Sequence, residues 1–454
     1  MLTHGRSGSS DDSGDDPGVE WSVVWRDYTL DSIVPSAGGG VWWDIDAFSQ
    51  RDLVSPAKLA LANLKDWQGL PCMIVQITLF ACGGYGVGVR LAHPVADAQS
   101  MMVFMHKWAA NCRSSSASDA TSSLFGEPVF DPPRLNTRAA GDIDSPNGPD
   151  PELCARARAL PMHRFSWWDT DAPGYSPYLV GTTRNNMPPP EVMAEGTTLS
   201  PSTTAPCIRG TSTGLRRRLC CTSRVTSSRG CGERALVEAA QEEAMTTNGD
   251  DKNNSEISRS DALLAHLFRL VTQARCSVKS SSYALAADNE VFLNFTLEAR
   301  RRVEPPLPET FLGSPLFMTH IKAPASSVCV SQPSQTQSQT VSSKGSTNGT
   351  TTKTTTTTGA LARQLRKTLR QFTPEAVAAL LHDAAFEVAP QRLWRGFLGP
   401  RHVIVTSWLR TRLYDVDFGF SVGDQGESKS RPSYVHAVMG KLGRHLGSAR
   451  PGGG

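Results

Sequence analysis

The stretch that most constrains the fold is an apolar run that leads to a histidine and is followed by a helical pattern. Val87–Leu91 predicts a buried strand, His93 follows its end, and Asp97 opens the next helix. Upstream, Met73–Phe80 is a second apolar run, and the turn sequence Cys82–Gly84 between the two runs predicts a β-hairpin. The sequence therefore predicts one histidine at the rigid end of a strand.

A histidine in that position is a candidate general base, because histidine titrates near neutral pH. Asp97 would either orient His93 or stabilise the turn, and the residues alone leave both roles open. With ten histidines in the chain, an aspartate four residues after one of them arises by chance about as often as not. The strand before His93 and the helix after it make the match more specific. The helix, predicted at 98–112, has an apolar face made of Met101, Phe104, Met105 and Trp108.

Several stretches together resemble one enzyme family. Phe80–Gly84 and His93–Asp97 look like the core of the BAHD acyltransferases, which move an acyl group from coenzyme A to a hydroxyl or an amine. Tyr414–Ser421 resembles the family's second signature, Asp-Phe-Gly-Trp-Gly. Between the two, residues 258–275 are similar to a family helix and residues 294–300 to the arginine-bearing strand after it. Two signatures in this order are more specific than either alone.

The resemblance implies an α+β fold of two similar domains, each a mixed β-sheet flanked by helices, of the coenzyme A-dependent acyltransferase (chloramphenicol acetyltransferase-like) type. It implies acyl-coenzyme A as co-substrate, with no bound cofactor and no metal. The acceptor would be an alcohol or amine of a small molecule, in secondary metabolism. His93 would act as the general base in a channel between the two domains.

The resemblance also implies roles for residues outside the histidine loop. Asp97 would pair with Arg300 of the second domain and so support the loop that carries His93. Three residues are candidates for an oxyanion donor or for the channel wall: Thr406, Ser407 and Trp408. Three more belong to the motif that shapes the coenzyme region: Asp417, Phe418 and Gly419.

The chain departs from the family pattern at a few positions. Phe420 and Ser421 replace the Trp and Gly of the second signature, and Ala98 replaces the glycine after Asp97. A serine does not readily adopt a backbone conformation that only glycine favours. The sequence between the motifs looks more like fungal members than plant members. Family members carry further elements before the histidine and after the second signature, so we expect a chain shortened at both ends.

Composition limits the partners and the compartment. The 454 residues carry a net charge of +3, which is too balanced to favour nucleic acid as a partner. No apolar run is long enough to predict a membrane span, so we expect a cytoplasmic protein, and we expect a monomer. The ten cysteines include no Cys-x-x-Cys pair. Reduced thiols are therefore expected in place of a zinc site or a disulfide framework.

Changes in composition predict the domain map. Residues 1–18 are expected to be a disordered N-terminus, and 19–184 the first acyltransferase domain with the histidine motif. Residues 185–255 are expected to form a largely flexible crossover linker. Residues 256–454 would form the second domain, with a disordered Ser, Thr and Gln-rich insertion at 325–358.

Three alternatives to an acyltransferase have to be weighed. A protein kinase also has Asp-Phe-Gly, but this chain lacks the kinase His-Arg-Asp and Ala-Pro-Glu motifs. A peptide-synthetase condensation domain shares the fold but prefers a doubled histidine, and Ala92 stands before His93 here. The third alternative is a non-catalytic or inactive relative that acts as a binding or scaffold protein. Binding of acyl-coenzyme A would separate that alternative from an enzyme.

Overall fold

The structure is a computed structural model that describes residues 18–33, 42–44, 53–61, 68–114, 124–172, 175, 180–187, 201–202, 219–221, 257–277, 289–329, 356–387, 392–394, 401–408, 410–419, 431–432 and 434–435. The described strands are β1 Val19–Arg26, β2 Trp42–Asp44, β3 Met73–Phe80, β4 Tyr85–Leu91, β5 Phe165–Ser166, β6 Leu219–Cys221, β7 Glu290–Glu298, β8 Leu316–Pro324, β9 Leu393–Trp394 and β10 His402–Val405. The described helices are α1 Ala98–Ser114, α2 Pro133–Asn136, α3 Pro151–Arg158, α4 Val180–Asn186, α5 Arg259–Cys276, α6 Ala325–Cys329, α7 Thr358–Arg370 and α8 Pro374–Ala385. Short 3-10 turns lie at Leu30–Ser32 and Leu413–Asp415.

The first sheet has the order β1-β3-β4. β3 and β4 pair antiparallel across the Cys82–Gly84 turn, which confirms the predicted hairpin. β1 runs parallel to β3 on its other side. The central strand β3 is buried along most of its length, as its apolar sequence requires.

The second sheet, β10-β7-β8, repeats this arrangement. Its central strand β7 pairs antiparallel with the next strand, β8, and parallel with β10. Two mixed sheets of the same kind, each accompanied by helices, confirm the predicted α+β class. The alternating sequence of Val291–Leu297 predicts a strand, which β7 confirms, although residues 291–295 are all buried. A central strand covered on both faces has no polar side.

A loop at residues 53–61 packs on β4 and explains a glycine in that strand. Arg90 of β4 donates from Nη1 to the carbonyl oxygens of Ser55 and Ala57 at 2.7 and 2.6 Å. At Gly88, an added Cβ would lie 1.8 Å from the carbonyl oxygen of Leu53. The strand therefore needs a glycine at residue 88 for the loop to approach this closely.

Helix α5 begins two residues earlier than its sequence predicts. The sequence favours Ser260 as the N-cap, but the cap is Ser258, whose side chain accepts a hydrogen bond from the Asp261 amide in a capping box. The apolar spacing in this helix predicts a core face that includes Leu267 and Phe268. The buried face consists mainly of small residues around Phe268, whereas Leu267 is 42% exposed. By contrast, the sequence predicts Thr373 as an N-cap with Pro374 at the first helical position, and α8 begins with both.

The packing of residues 129–166 departs from the predicted domain boundary. The map assigns them to the first domain, yet Ala157 and Leu160 belong to the core of the second sheet together with Phe268 and Leu293. β5 of this segment also pairs with β9 of the second half. The segment carries little apolar sequence of its own, so its few apolar side chains are buried against the larger core.

Two further predictions for the second half need correction. The insertion at 325–358, predicted to be disordered, begins with helix α6 and ends in the cap and first residue of α7, and residues 330–355 lie outside the described residues. Cys276 and Cys329, predicted to be reduced, are joined by a disulfide with their Cα atoms 6.5 Å apart. The contact between the ends of α5 and α6 brings these cysteines together, and their sequence spacing gives no sign of it. The other linker and terminal segments that the map assigned, 1–17 and most of 185–255, also lie outside the described residues.

Candidate active site

His93 lies on a short turn between β4 and α1. The strand ends at Leu91, and the buried Ala92 donates its amide to the carbonyl oxygen of Cys72 at 2.9 Å. The carbonyl oxygen of Ala92 in turn accepts from the amide of Val95 at 2.9 Å. The base of the turn is therefore fixed, while His93 itself is exposed. This geometry presents an imidazole to solvent from a rigid support.

Asp97 points the other way and is buried, with 4% of its surface exposed. Its Oδ1 accepts from the amide of Ser100 at 2.9 Å, in the manner of a helix N-cap at the start of α1. Both carboxylate oxygens also accept from Arg300: Nη1 lies 2.7 Å from Oδ2 and Nη2 lies 3.0 Å from Oδ1. The structure thus joins Asp97 and Arg300, 203 residues apart, in a bidentate pair.

Arg300 is 2% exposed, and its donors are used by more than the aspartate. Nε and Nη2 donate to the carbonyl oxygen of Phe311 at 3.0 and 2.9 Å. Glu298 accepts from the Arg300 amide at 2.8 Å. Such compensation is what a buried charge requires. The segment 298–315, which we call the strap, is thereby held against the start of α1.

Two residues that the sequence analysis missed complete this junction. Ser100 Oγ donates to the carbonyl oxygen of Gly313 at 2.8 Å and accepts from the Gly313 amide at 3.0 Å and from Arg300 Nη2 at 3.1 Å. The Asp97 amide also donates to Gly313 O at 2.9 Å. Gly313 has φ +152°, a conformation that favours glycine. Nothing in its sequence context distinguishes Gly313, although Ser100 stands at helical spacing from Asp97.

The strap also reaches His93. Ser314, the residue after Gly313, places Oγ 3.3 Å from His93 Nδ1. Among the described residues, Nε2 of His93 makes no hydrogen bond. Ser314 therefore supports the imidazole at Nδ1.

The β-branched sequence at 402–408 predicts a strand over all seven residues, but β10 ends at Val405. Three of the candidate residues, Thr406, Ser407 and Trp408, therefore lie just beyond its end. Thr406 and Ser407 are exposed, and Thr406 Oγ1 is 3.5 Å from the hydroxyl of Thr296 on β7. Trp408 is half-buried, and its carbonyl oxygen accepts from Thr411 at 2.7 Å. Within the described part of the chain, none of the three hydrogen-bonds to His93.

The strand pairing nevertheless places these groups at one edge of the second sheet. β10 runs parallel to β7, with Val405 opposite Phe295, so both strands end at the same edge. β8 begins at that edge, because Leu316 pairs with Glu298 at the end of β7. The loop at 406–408 and the strap with Ser314 therefore leave the second sheet on the same side.

The second signature packs on α1 of the first half. Phe418 is buried, with its ring centroid 5.0 Å from that of Trp108, and Arg113 Nη1 donates to the carbonyl oxygen of Asp417. Gly419 has φ +76°, and a Cβ there would meet the side chain of Arg113. Phe420 and Ser421, where the chain departs from the family pattern, lie outside the described residues.

His106, also on α1, strengthens this contact and was not singled out from the sequence. Its Nε2 is 3.1 Å from the carbonyl oxygen of Arg412, just before the second signature. Burial lowers the pKa of His106, so the neutral ring is favoured. Helix α1 therefore begins at the histidine motif and ends against the second signature, so it connects the two motifs.

A second group of histidines lies against the second sheet, away from the motifs; His163 and His402 are buried, and His320 is half-buried. Burial lowers the pKa of His163 to about 4, and burial with neighbouring charge lowers the pKa of His320 and His402 to about 3. The rings of His163 and His320 are stacked with centroids 4.0 Å apart. Asn294 lies 3.2 Å from His163 Nε2 and donates to Val403 O at 3.2 Å. In the described residues, no set of three or more histidine, cysteine or carboxylate groups is arranged to hold a metal ion.

Comparison with known proteins decides the family. The model of the Transferase family, which contains the BAHD-type acyltransferases, matches residues 47–151 and 219–422. The chain belongs to this family. The matched residues cover more than half of the chain and include both signature regions. The predicted family and the predicted enzyme class, an acyltransferase, are confirmed.

Two fungal relatives align over much of the chain. Acyltransferase AFT15-1 of Alternaria alternata is 22% identical over 422 residues, which cover 89% of this chain and 67% of that protein. Acyltransferase abl6 of Leptosphaeria maculans is 24% identical over 328 residues, which cover 71% of this chain and 51% of that protein. The alignments thus span between half and two thirds of the relatives' own length.

Plant relatives and a solved structure also match. Vinorine synthase of Rauvolfia serpentina is 33% identical over 93 residues, which cover 20% of this chain and 19% of that protein. The crystal structure of F. sporotrichioides TRI101 complexed with coenzyme A and T-2 superposes with a TM-score of 0.47 at 14% identity, covering 92% of this chain and 71% of that one. Among the helices of the described ranges, none is both long and apolar enough to span a bilayer.

Proposed function

We propose that this protein transfers an acyl group from an acyl-coenzyme A to a hydroxyl or amine of a small-molecule acceptor, with His93 as the general base. The observation that carries the proposal is that the two residues of the histidine motif have different environments. His93 is exposed with Nε2 free among the described residues, while Asp97 is buried beneath it in a bidentate pair with Arg300. Because Asp97 is paired with Arg300, its role is to support the loop, and His93 is the residue that can act as the base.

The proposed chemistry is a single displacement through a tetrahedral intermediate. His93 Nε2 removes the proton from the acceptor O–H or N–H as that atom attacks the thioester carbonyl carbon, and the carbonyl becomes an oxyanion. Collapse of the intermediate breaks the C–S bond, and the imidazolium returns the proton to the coenzyme A thiolate. A positioned general base contributes about 10² to 10⁴-fold to such a rate.

The oxyanion requires a donor, and the loop after β10 supplies candidates. Thr406 and Ser407 carry exposed hydroxyls, and Trp408 has an indole N–H. Support for them comes from the sheet edge that they share with the strap, which reaches His93. Removing a true oxyanion donor lowers kcat by about 10² to 10³-fold. We propose that Asp417, Phe418 and Gly419 shape the coenzyme region by their packing on α1 and do not take part in the chemistry.

The names of relatives support both the donor and the breadth of acceptors. One plant relative is a hydroxycinnamoyl-CoA:piscidic acid hydroxycinnamoyltransferase. Others are a stemmadenine O-acetyltransferase and a hydroxycinnamoyl-CoA:5-hydroxyanthranilate N-hydroxycinnamoyltransferase. Both O- and N-transfer therefore occur among relatives. We propose that the acceptor is a secondary metabolite and that the protein works in the cytoplasm. We also propose that it is a monomer, which light scattering would test.

The test is product formation by mass spectrometry with acetyl- and hydroxycinnamoyl-coenzyme A against a panel of alcohols and amines. The proposal predicts turnover by the wild-type chain and its loss in His93→Ala, with an unchanged melting curve. His266→Ala, which alters a half-buried histidine on α5, is the matched control and should keep wild-type turnover. Coenzyme A binding without turnover by any wild-type preparation would instead favour a non-catalytic relative.

A further inference from the structure

The strap offers a side chain to the proposed base from the other half of the chain. Ser314 Oγ lies 3.3 Å from His93 Nδ1 across a sequence separation of 221 residues. Building on the proposed function, we infer that Ser314 is a positioning residue: its hydroxyl oxygen accepts a hydrogen bond from Nδ1–H of His93, which holds the ring so that Nε2 is the basic nitrogen.

The position of Ser314 is fixed on both sides by backbone hydrogen bonds. On one side, both the amide and the carbonyl of Gly313 are bound by Ser100 Oγ, at 3.0 and 2.8 Å. On the other side, the Leu316 amide donates to Ser314 O at 2.8 Å, and the Ala299 amide donates to Pro315 O at 2.9 Å. A short side chain on a backbone held this firmly keeps its hydroxyl within reach of the imidazole.

The hydrogen bond matters most when His93 is protonated. A neutral imidazole has one N–H and one lone pair, and only the form with hydrogen on Nδ1 leaves Nε2 able to accept the substrate proton. After that transfer both nitrogens carry hydrogen, and Nδ1–H needs an acceptor while the positive charge exists. Ser314 Oγ therefore stabilises the reacting ring more than the resting one, which is the condition for an effect on kcat.

The strap also connects the buried Asp97–Arg300 pair to His93. Arg300 belongs to the strap and donates to Phe311 O farther along it, and the Asp97 amide donates to Gly313 O. Ser314 is the next residue along. The Asp97–Arg300 pair thus acts on the reaction through the placement of Ser314 as well as through the histidine turn.

The experiment compares Ser314→Ala and Ser314→Thr, with Ser327→Ala as the matched control. Ser327 lies on α6 and donates its hydroxyl to Pro324 O at 2.9 Å, at the end of β8 opposite to Leu316 and the strap. Acyl-coenzyme A kinetics and ¹⁵N NMR of the His93 ring are recorded for each, with a melting curve. The NMR spectrum of the neutral ring reports which nitrogen carries hydrogen and does not depend on turnover.

The inference predicts that Ser314→Ala lowers kcat by about tenfold, the effect of one modest hydrogen bond, with KM for acyl-coenzyme A within about twofold. The Nδ1–H tautomer of His93 should lose population, Ser314→Thr should restore both readouts, and Ser327→Ala should match the wild type. An unchanged tautomer in Ser314→Ala would overturn the inference, as would a loss of kcat that the threonine variant shares. If the wild-type chain itself transfers no acyl group, the proposed function fails, and the tautomer still tests the hydrogen bond.

Discussion

The Asp97–Arg300 pair makes the sharpest quantitative prediction. Both side chains are nearly inaccessible, at 3% and 2% exposure, and two hydrogen bonds of 2.7 and 3.0 Å join them. Removing one partner leaves the other charged and buried, which costs on the order of 3–5 kcal/mol. Asp97→Asn keeps an acceptor for the Ser100 amide, so this variant removes the ion pair with little effect on the helix cap.

The assay is a double-mutant cycle with Asp97→Asn and Arg300→Gln, following urea unfolding by tryptophan fluorescence beside turnover. Arg300→Gln removes the hydrogen bonds to Phe311 O whether residue 97 is Asp or Asn, so their loss cancels in the cycle. The coupling energy therefore reports the ion pair itself, and we expect a coupling energy of about 2 kcal/mol or more. The neighbouring Arg301–Glu309 pair is a matched control, because its side chains are 57% and 54% exposed. Its loss should cost no more than about 1 kcal/mol. A coupling between Asp97 and Arg300 within about 0.5 kcal/mol of zero would refute the reasoning.

Two further predictions concern stability. Gly88→Ala should destabilise the first half by about 3 kcal/mol, because its Cβ would meet Leu53 O at 1.8 Å. Gly86→Ala, whose Cβ would meet only side-chain carbons at 3.6 Å, should leave stability unchanged or raise it by up to about 1 kcal/mol, because glycine within a strand is less stable than alanine. Equal urea midpoints for the two variants would contradict this account. The second prediction is acid lability. The folded-state pKa is lowered to about 4 for His163 and to about 3 for His320 and His402, mainly by burial, so their contribution to stability is present above about pH 6.5 and is lost as the pH falls toward 4 while the unfolded chain takes up protons; at pH 5.5 the loss is on the order of 1 kcal/mol for a single histidine. A urea midpoint that stays constant between about pH 7 and pH 5.5 would show that these rings are not held neutral.

The sequence was informative where local pattern and burial agree. The hairpin around Cys82–Gly84, helix α1 after Asp97 and the cap at Thr373 follow from apolar period and turn chemistry, and the structure has all three. The family could be inferred because its signatures are short and contiguous. Each of these features is encoded within a few residues, so a single sequence suffices to find it.

The rest depends on contacts between distant segments. Ser100 and Gly313 form the junction beneath His93, yet 213 residues separate them and neither belongs to a recognisable pattern. The attachment of α3 to the core of the second sheet has the same character. Leu267 was assigned to the core because leucine is apolar, whereas α5 approaches its neighbours with a face rich in alanine, which allows closer packing. Tertiary packing decides which side of a helix is buried and which distant segments meet, and the pattern of a single sequence does not reveal it.

Chemical rescue of a truncated base tests the central claim, that His93 Nε2 removes the acceptor proton, most directly. Because His93 is exposed on its turn, His93→Ala opens a space that imidazole in solution can enter. The account predicts that His93→Ala has turnover reduced by about 10² to 10⁴-fold and that added imidazole restores part of it in proportion to the concentration of its neutral form. Turnover of His93→Ala close to that of the wild type without imidazole would contradict the account.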